Sequence, residues 1–216
     1  MRMRNKPNLA VRLQENAHLL ITEPALYRGR WISEFGCNEL HIELGCGKGR
    51  FTVETAMKNP DILFVALEKS ANAMVIALER VSALGLKNVR FINAFAEYLI
   101  EYFAPDEASR IYINFCDPWP SNRHAKRRLT NQRFLRQYSQ ILVPNGEIHF
   151  KTDNHSLFEF SLCELERGGF MIAEVVSDLH ERGPVGVMTD YELKFFDKGL
   201  PIFKFMAINV KPGPMP

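Results

Sequence analysis

Three stretches of this 216-residue chain carry residues whose types and spacing could do chemistry. The first is Glu43-Leu44-Gly45-Cys46-Gly47-Lys48-Gly49, directly behind an apolar run. Glycines there let the backbone approach a ligand without side-chain obstruction, and the first strand–helix turn of an α/β sheet is where ligands bind. The spacing is GxGxG, whereas a dinucleotide site uses GxGxxG with its pyrophosphate on the helix N-terminus. Glu43 would repel a pyrophosphate but suits a ligand carrying an amino group and a sulfonium. S-adenosylmethionine therefore fits Gly45, Gly47 and Gly49 better than NAD, although such a turn alone is also compatible with nothing more than a tight bend. Glu68 ends the next apolar run, Val65-Ala66-Leu67-Glu68. It stands about twenty residues after the glycines, where an acid accepts hydrogen bonds from both ribose hydroxyls. Phe95, in Asn93-Ala94-Phe95-Ala96, falls where an adenine would be flanked.

The second stretch is Asp117-Pro118-Trp119-Pro120, a carboxylate and an aromatic ring on a turn stiffened by two prolines. The third follows at once, Ser121-Asn122-Arg123-His124-Ala125-Lys126-Arg127-Arg128-Leu129. No acid occurs between Asp117 and Glu147, while Arg123, Lys126, Arg127, Arg128, Arg133 and Arg136 do. The start is basic too, with Arg2, Arg4, Lys6 and Arg12 ahead of the first acid, Glu15. A net charge of only +2 does not by itself declare a polyanionic partner. The local excess reads either as a solvated face or as a track for phosphates. Acid, aromatic and basic run together look like a base pocket bordered by such a track.

The elements that must position these residues follow from periodicity. Apolar, β-rich runs near Leu40–Leu44, Ile62–Leu67, Val89–Ile92, Ile111–Phe115, Glu147–Lys151, Met171–Val176 and Ile202–Asn209 predict seven strands. They alternate with helical stretches at Phe51–Met57, Ala71–Leu84, Glu97–Phe103, Asn131–Leu142 and Ser156–Arg167. Gly85 and the Pro144-Asn145-Gly146 turn close two of these helices. Such alternation predicts an α/β fold, a mostly parallel sheet with helices on both faces. The last two strands are separated only by a long loop, Leu179 to Phe196, which makes the final strand antiparallel. Asp117 then lies at the carboxyl edge of the sheet, beside the crevice.

Composition excludes other classes. At 46% hydrophobic and 24% charged the chain is ordinary globular material, and one large domain is comfortable up to about 250 residues. We expect a single domain over 1–216, with 1–37 a basic N-terminal extension packing on it. Residues 8–18 are too polar for the apolar part of a signal peptide, and no apolar run spans a bilayer. Cys37, Cys46, Cys116 and Cys163 form no CxxC pair, so neither a metal knuckle nor a disulfide framework is expected, and the compartment expected is the cytoplasm.

Over nearly its whole length the chain resembles the bacterial tRNA (guanine-N7-)-methyltransferase family. The resemblance rests on 1–4 with Lys6-Pro7, on Ile42-Glu43-Leu44-Gly45, on Asp117-Pro118-Trp119-Pro120 with Arg123-His124 and Lys126-Arg127-Arg128-Leu129, on Phe150-Lys151-Thr152-Asp153-Asn154, and on Thr189-Asp190-Tyr191-Glu192 with Lys194-Phe195. It implies a Rossmann-like class I fold, S-adenosylmethionine as methyl donor with S-adenosylhomocysteine as product, no metal, and tRNA as partner of a monomer or homodimer. The reaction implied is methylation of N7 of the variable-loop guanine. The same resemblance assigns Glu43, Glu68 and Asp117 to the cofactor region, Asp117 to catalysis, and Asp153 with Thr189–Glu192, including Tyr191, to substrate. Where the family has an acid or amide this chain has Phe95, and Ser121 and Asn122 stand where lysines are usual. Position 121 would still face substrate, and Arg123, Lys126, Arg127 and Arg128 would hold phosphates.

Guanine N7 carries a free lone pair, so no strong base is required. Asp117 would compensate the positive charge that arrives on the base. Asp153 and Glu192 could accept from guanine N1–H and the exocyclic amine. Two other readings remain at this point: a small-molecule methyltransferase of the same fold, which leaves the basic runs without a purpose, and a catalytically silent RNA-binding module, against which the intact acids and glycines argue.

Overall fold

A computed structural model describes residues 6–211; Arg2, Arg4 and the 1–4 start lie outside them. Seven strands form one sheet: β1 (Glu39–Leu44), β2 (Ile62–Leu67), β3 (Val89–Ile92), β4 (Ala108–Asn114), β5 (Leu142–Thr152), β6 (Phe170–Val176) and β7 (Phe203–Asn209). Their order is β3-β2-β1-β4-β5-β7-β6. The first five run parallel, and β7 is antiparallel to both β5 and β6, as the missing crossover predicts. Parallel strands in such a sheet are buried on both faces and read as near-continuous apolar runs. Thus Leu63, Val65 and Leu67 of β2 enter one core while Phe64 and Ala66 enter the other.

Helices α3 (Arg50–Lys58) and α4 (Ala71–Leu84) cover one face. Met74, Ala77, Leu78 and Val81 form the buried stripe of α4, and Gly85 ends it in the left-handed conformation. The other face is covered by α5 (Leu99–Tyr102), α6 (Gln132–Ile141) and α7 (His155–Arg167). Asn131 and Asn154 cap α6 and α7, each accepting a backbone N–H of the first turn. Ahead of β1 stand α1 (Leu9–Glu15) and α2 (Trp31–Phe35), and α8 (Glu192–Phe196) precedes β7. Several of the described residues before β1 touch the elements that follow it. Arg12 pairs with Glu79 of α4 at 2.6 and 2.8 Å, Ile21 N–H donates to Phe91 of β3 at 2.8 Å, and the fully buried Trp31 donates its indole N–H to Tyr102 at 2.9 Å. Among the described residues no helix is long and apolar enough to cross a membrane.

Three expectations about elements need correction. The 179–196 loop is not free of helix, because Thr189 and Glu192 cap each other's backbone and start α8. The Pro144-Asn145-Gly146 turn does not close α6, which ends at Ile141; it is absorbed into β5, where the β4–β5 register jumps from Ala108↔Leu142 to Arg110↔Glu147. The single helix expected over 97–103 is a 3-10 turn, Ala96–Tyr98, followed by the short α5.

Candidate functional site

The carboxyl ends of β1, β2, β3 and β4 open into a cleft of about 1010 Å³. Gly45 and Gly47 form one wall, both with positive φ, and a Cβ placed on either meets nothing within 4 Å. The backbone is therefore open to a ligand on that side. The turn is pinned from below, with Gly45 and Cys46 N–H donating to Leu67 at 2.8 and 3.1 Å. Gly49 has a different task. It is buried, and a Cβ there would collide with Ala77, so it permits α3 and α4 to meet and is not part of the cleft wall.

Glu68 lies at the rim, with one carboxylate oxygen accepting from Gly47 N–H at 2.9 Å and the other from Ser70 N–H at 2.8 Å. Each oxygen keeps a further lone pair, so the carboxylate is oriented and still able to accept from a diol. Phe95, Ala94, Leu129 and Phe134 make the apolar wall where a flat ring would lie, and Phe95 is exposed to it. The cleft thus offers, in order, an open glycine backbone, a carboxylate suited to vicinal hydroxyls and an apolar slot.

Glu43 does not face this cleft, contrary to the expectation that it meets the ligand's charges. It is 3% exposed, because it points between β1, β4 and α3, where it accepts from the Thr52 hydroxyl and from Asn114 Nδ2 at 3.1 Å. Burial pushes its carboxyl up to about 7, against the two hydrogen bonds and nearby Lys151, which lower it.

Asp117 follows β4 at the mouth of the cleft, exposed and paired with Lys69 at 2.9 Å. Its neighbour Cys116 is no nucleophile at neutral pH, since burial, aided by Asp117, pushes the thiol up to about 12. The turn carrying Asp117 is strained: Phe115 and Trp119 have φ of 53° and 44°, a region bulky side chains rarely adopt. Arg128 secures it. The sequence marks Arg128 as a phosphate contact, but it is 8% exposed, donates to the Pro118 and Trp119 carbonyls at 3.0–3.3 Å and stacks 4.3 Å from the Phe160 ring. Those carbonyls take its Nε and Nη2 hydrogens and hold it against the turn, so it serves as a loop anchor. Arg127 is exposed over the Trp119 ring at 4.8 Å and lines the cleft, whereas Arg123, Lys126 and Ser121 are exposed just outside it.

The last segment also divides. Glu192 is 0% exposed, its oxygens accepting from Lys151 at 3.0 and 3.1 Å, from His180 at 2.9 Å and from Thr189 N–H at 3.1 Å. No face is left for a base, so the expected guanine contact of Glu192 is corrected to a structural role, and Thr189 is its capping partner. Tyr191 is exposed, 5.2 Å from the Phe115 ring that lines the cleft, and its phenol pKa is raised by partial burial and by the nearby Asp153 carboxylate. Sequence reasoning missed Lys69, Asn114, Arg80 and His180. Only Thr189-x-x-Glu192, a capping-box spacing ahead of apolar residues, carried a readable signal that Glu192 turns inward.

Sheet order, antiparallel last strand and a cleft at the strands' carboxyl ends define a Rossmann-like class I methyltransferase. Solved structures agree on the fold: the 16S rRNA methyltransferase KamB superposes with a TM-score of 0.66 at 15% identity, covering 82% of this chain and 91% of that one. The aminoglycoside resistance methyltransferase NpmB1 gives 0.59 at 17% identity, over 84% and 92%. A family described as putative methyltransferase matches residues 37–205. The tRNA (guanine-N(7)-)-methyltransferase of Bacillus licheniformis is 46% identical over 209 residues, 96% of this chain and 98% of that protein. That of Bacillus velezensis is 47% identical over 206 residues, 94% and 95%, and that of Lactococcus lactis subsp. cremoris 44% over 211 residues, 96% and 97%. The chain belongs to the tRNA (guanine-N(7)-)-methyltransferase family.

Proposed function

We propose that the protein transfers a methyl group from S-adenosylmethionine to N7 of the variable-loop guanine of cytoplasmic tRNA, as one domain on which the described part of the N-terminal extension, 6–37, packs. The observation that carries this is the position of Asp117, at the mouth of the cleft between the glycine wall and the exposed Arg123, Lys126 and Arg127. When bound, the cofactor supplies an electrophilic methyl on a sulfonium. Gly45 and Gly47 would hold its amino-acid end, Glu68 the ribose hydroxyls, and Ala94 with Phe95 the adenine.

The chain's own residues then have two tasks. They must align N7 with the methyl carbon, and they must compensate the charge that moves onto the base. N7 has no proton to lose, so neither a general base nor a metal-activated nucleophile is called for. Asp117 performs the second task, which requires Lys69 to release it when the base enters. Tyr191 and Asp153 border the guanine, and Asp153 accepts its N1–H or exocyclic amine. Arg123, Lys126 and Arg127 follow the phosphates. All of these residues come from one chain, so the reading holds for a monomer and a homodimer alike.

Asp117→Asn keeps the shape of the turn and removes its charge. We expect a single-turnover methylation rate lowered by at least about tenfold, with tRNA affinity changed far less. Equal rates would reduce Asp117 to a loop residue.

A further inference from the structure

Helix α4 presents Ala73, Ala77 and Arg80 on one face, at i, i+4 and i+7. Ala73 lines the cleft, Ala77 receives Gly49, and Arg80 closes the row. Its guanidinium makes two unlike contacts. Nη1 donates to the carbonyl of Lys48, inside the glycine turn, at 3.0 Å. The same group holds the Asp190 carboxylate in a bidentate pair at 2.8 and 3.2 Å. One side chain therefore bridges the turn that borders the cofactor cleft and the 189–192 segment.

Both ends of this bridge are placed to transmit. The glycine turn presents open backbone to the cleft at Gly45 and Gly47, where a Cβ would meet nothing within 4 Å, so a ligand seated there bears directly on the turn that carries the Lys48 carbonyl. The segment beyond Asp190 is stiff, because Thr189 and Glu192 cap each other and Glu192 is held by Lys151 and His180. A movement imposed on Asp190 therefore reaches Tyr191, whose ring lies 5.2 Å from Phe115 on the cleft wall.

We propose that Arg80 is a positioning residue that couples cofactor binding to tRNA binding. A ligand that fixes the glycine turn fixes the Lys48 carbonyl, which favours the Arg80 geometry that seats Asp190 and Tyr191; by linkage tRNA favours the cofactor equally. The inference rests on reading the cleft as the S-adenosylmethionine site and the 189–192 segment as bordering tRNA.

The test measures the affinity for unmodified tRNA with and without saturating S-adenosylhomocysteine, and the reciprocal pair. The parent should bind tRNA about fivefold or more tighter in the presence of the product, and the same factor should appear in the reverse experiment. Arg80→Gln and Asp190→Asn should each bring the factor close to one, while Arg80→Lys retains part of it. A purely structural role would weaken both ligands and leave the ratio unchanged. Absence of coupling in the parent, or coupling that survives in both Arg80→Gln and Asp190→Asn, overturns the proposal. Tyr191→Ala separates the underlying reading: unchanged tRNA affinity in that variant removes the segment from the tRNA site, whereas weakened tRNA binding with coupling intact in Arg80→Gln removes only the role of Arg80.

Discussion

Glu43 is an acid beside a cofactor cleft with no surface turned toward it, and its behaviour is set by burial. With the folded carboxyl raised from 4.5 to about 7, the unfolded chain loses this proton first as pH rises. The folded state binds more protons between those two values, so stability falls across that window, by about 3 kcal/mol in all. Glu43→Gln imitates the protonated form and removes the titration. Urea melts should show the variant gaining on the parent as pH is raised from 5 to 8; a constant difference across that range would mean that Glu43 does not titrate there. The chemistry legible at single residues was the identity of the acids. Their orientation was not: Glu68 and Asp117 reach the cleft, but Glu43 and Glu192 are enclosed, and each takes a partner from a strand far away in sequence, Asn114 of β4 for Glu43 and Lys151 of β5 for Glu192, beside nearer ones in α3 and the 179–196 loop.

At the scale of elements, the basic run after Asp117 separates into a loop anchor and an exposed edge. Arg128→Ala should leave the salt dependence of tRNA binding unchanged and destabilise the fold by about 2–3 kcal/mol, because charged hydrogen bonds to the Pro118 and Trp119 carbonyls are lost. Replacing Arg123, Lys126 or Arg127 by Ala should do the reverse, flattening the slope of log affinity against log salt by about one unit each with little effect on stability. Equal slopes for the parent and all three would make the run a solvated edge. Periodicity located β2, β3 and α4 end to end, since each is a two-face apolar run or an apolar stripe bounded by turn residues. It failed where two signals competed. Pro144 and Gly146 read as a turn, yet the ladder accommodates them as a register shift in β5. The polar Ser109-Arg110 hid the start of β4, and α1, α2 and α8 are too short, at five to seven residues, to express a helical period.

Over the whole molecule 27 basic and 25 acidic residues nearly cancel, so attraction to a polyanion must come from where the charges stand. The cleft, Asp117 and the exposed Arg123, Lys126 and Arg127 share the carboxyl edge of the sheet, which lets one approach of an RNA bring a base and its phosphates into place together. The most direct measurement is methyl transfer itself: the protein incubated with methyl-labelled S-adenosylmethionine and an unmodified tRNA, followed by digestion to nucleosides. Label in 7-methylguanosine, lost when the variable-loop guanine alone is replaced by 7-deazaguanine, is the predicted result. Label in any other nucleoside, or in 7-methylguanosine that survives that replacement, would contradict the account.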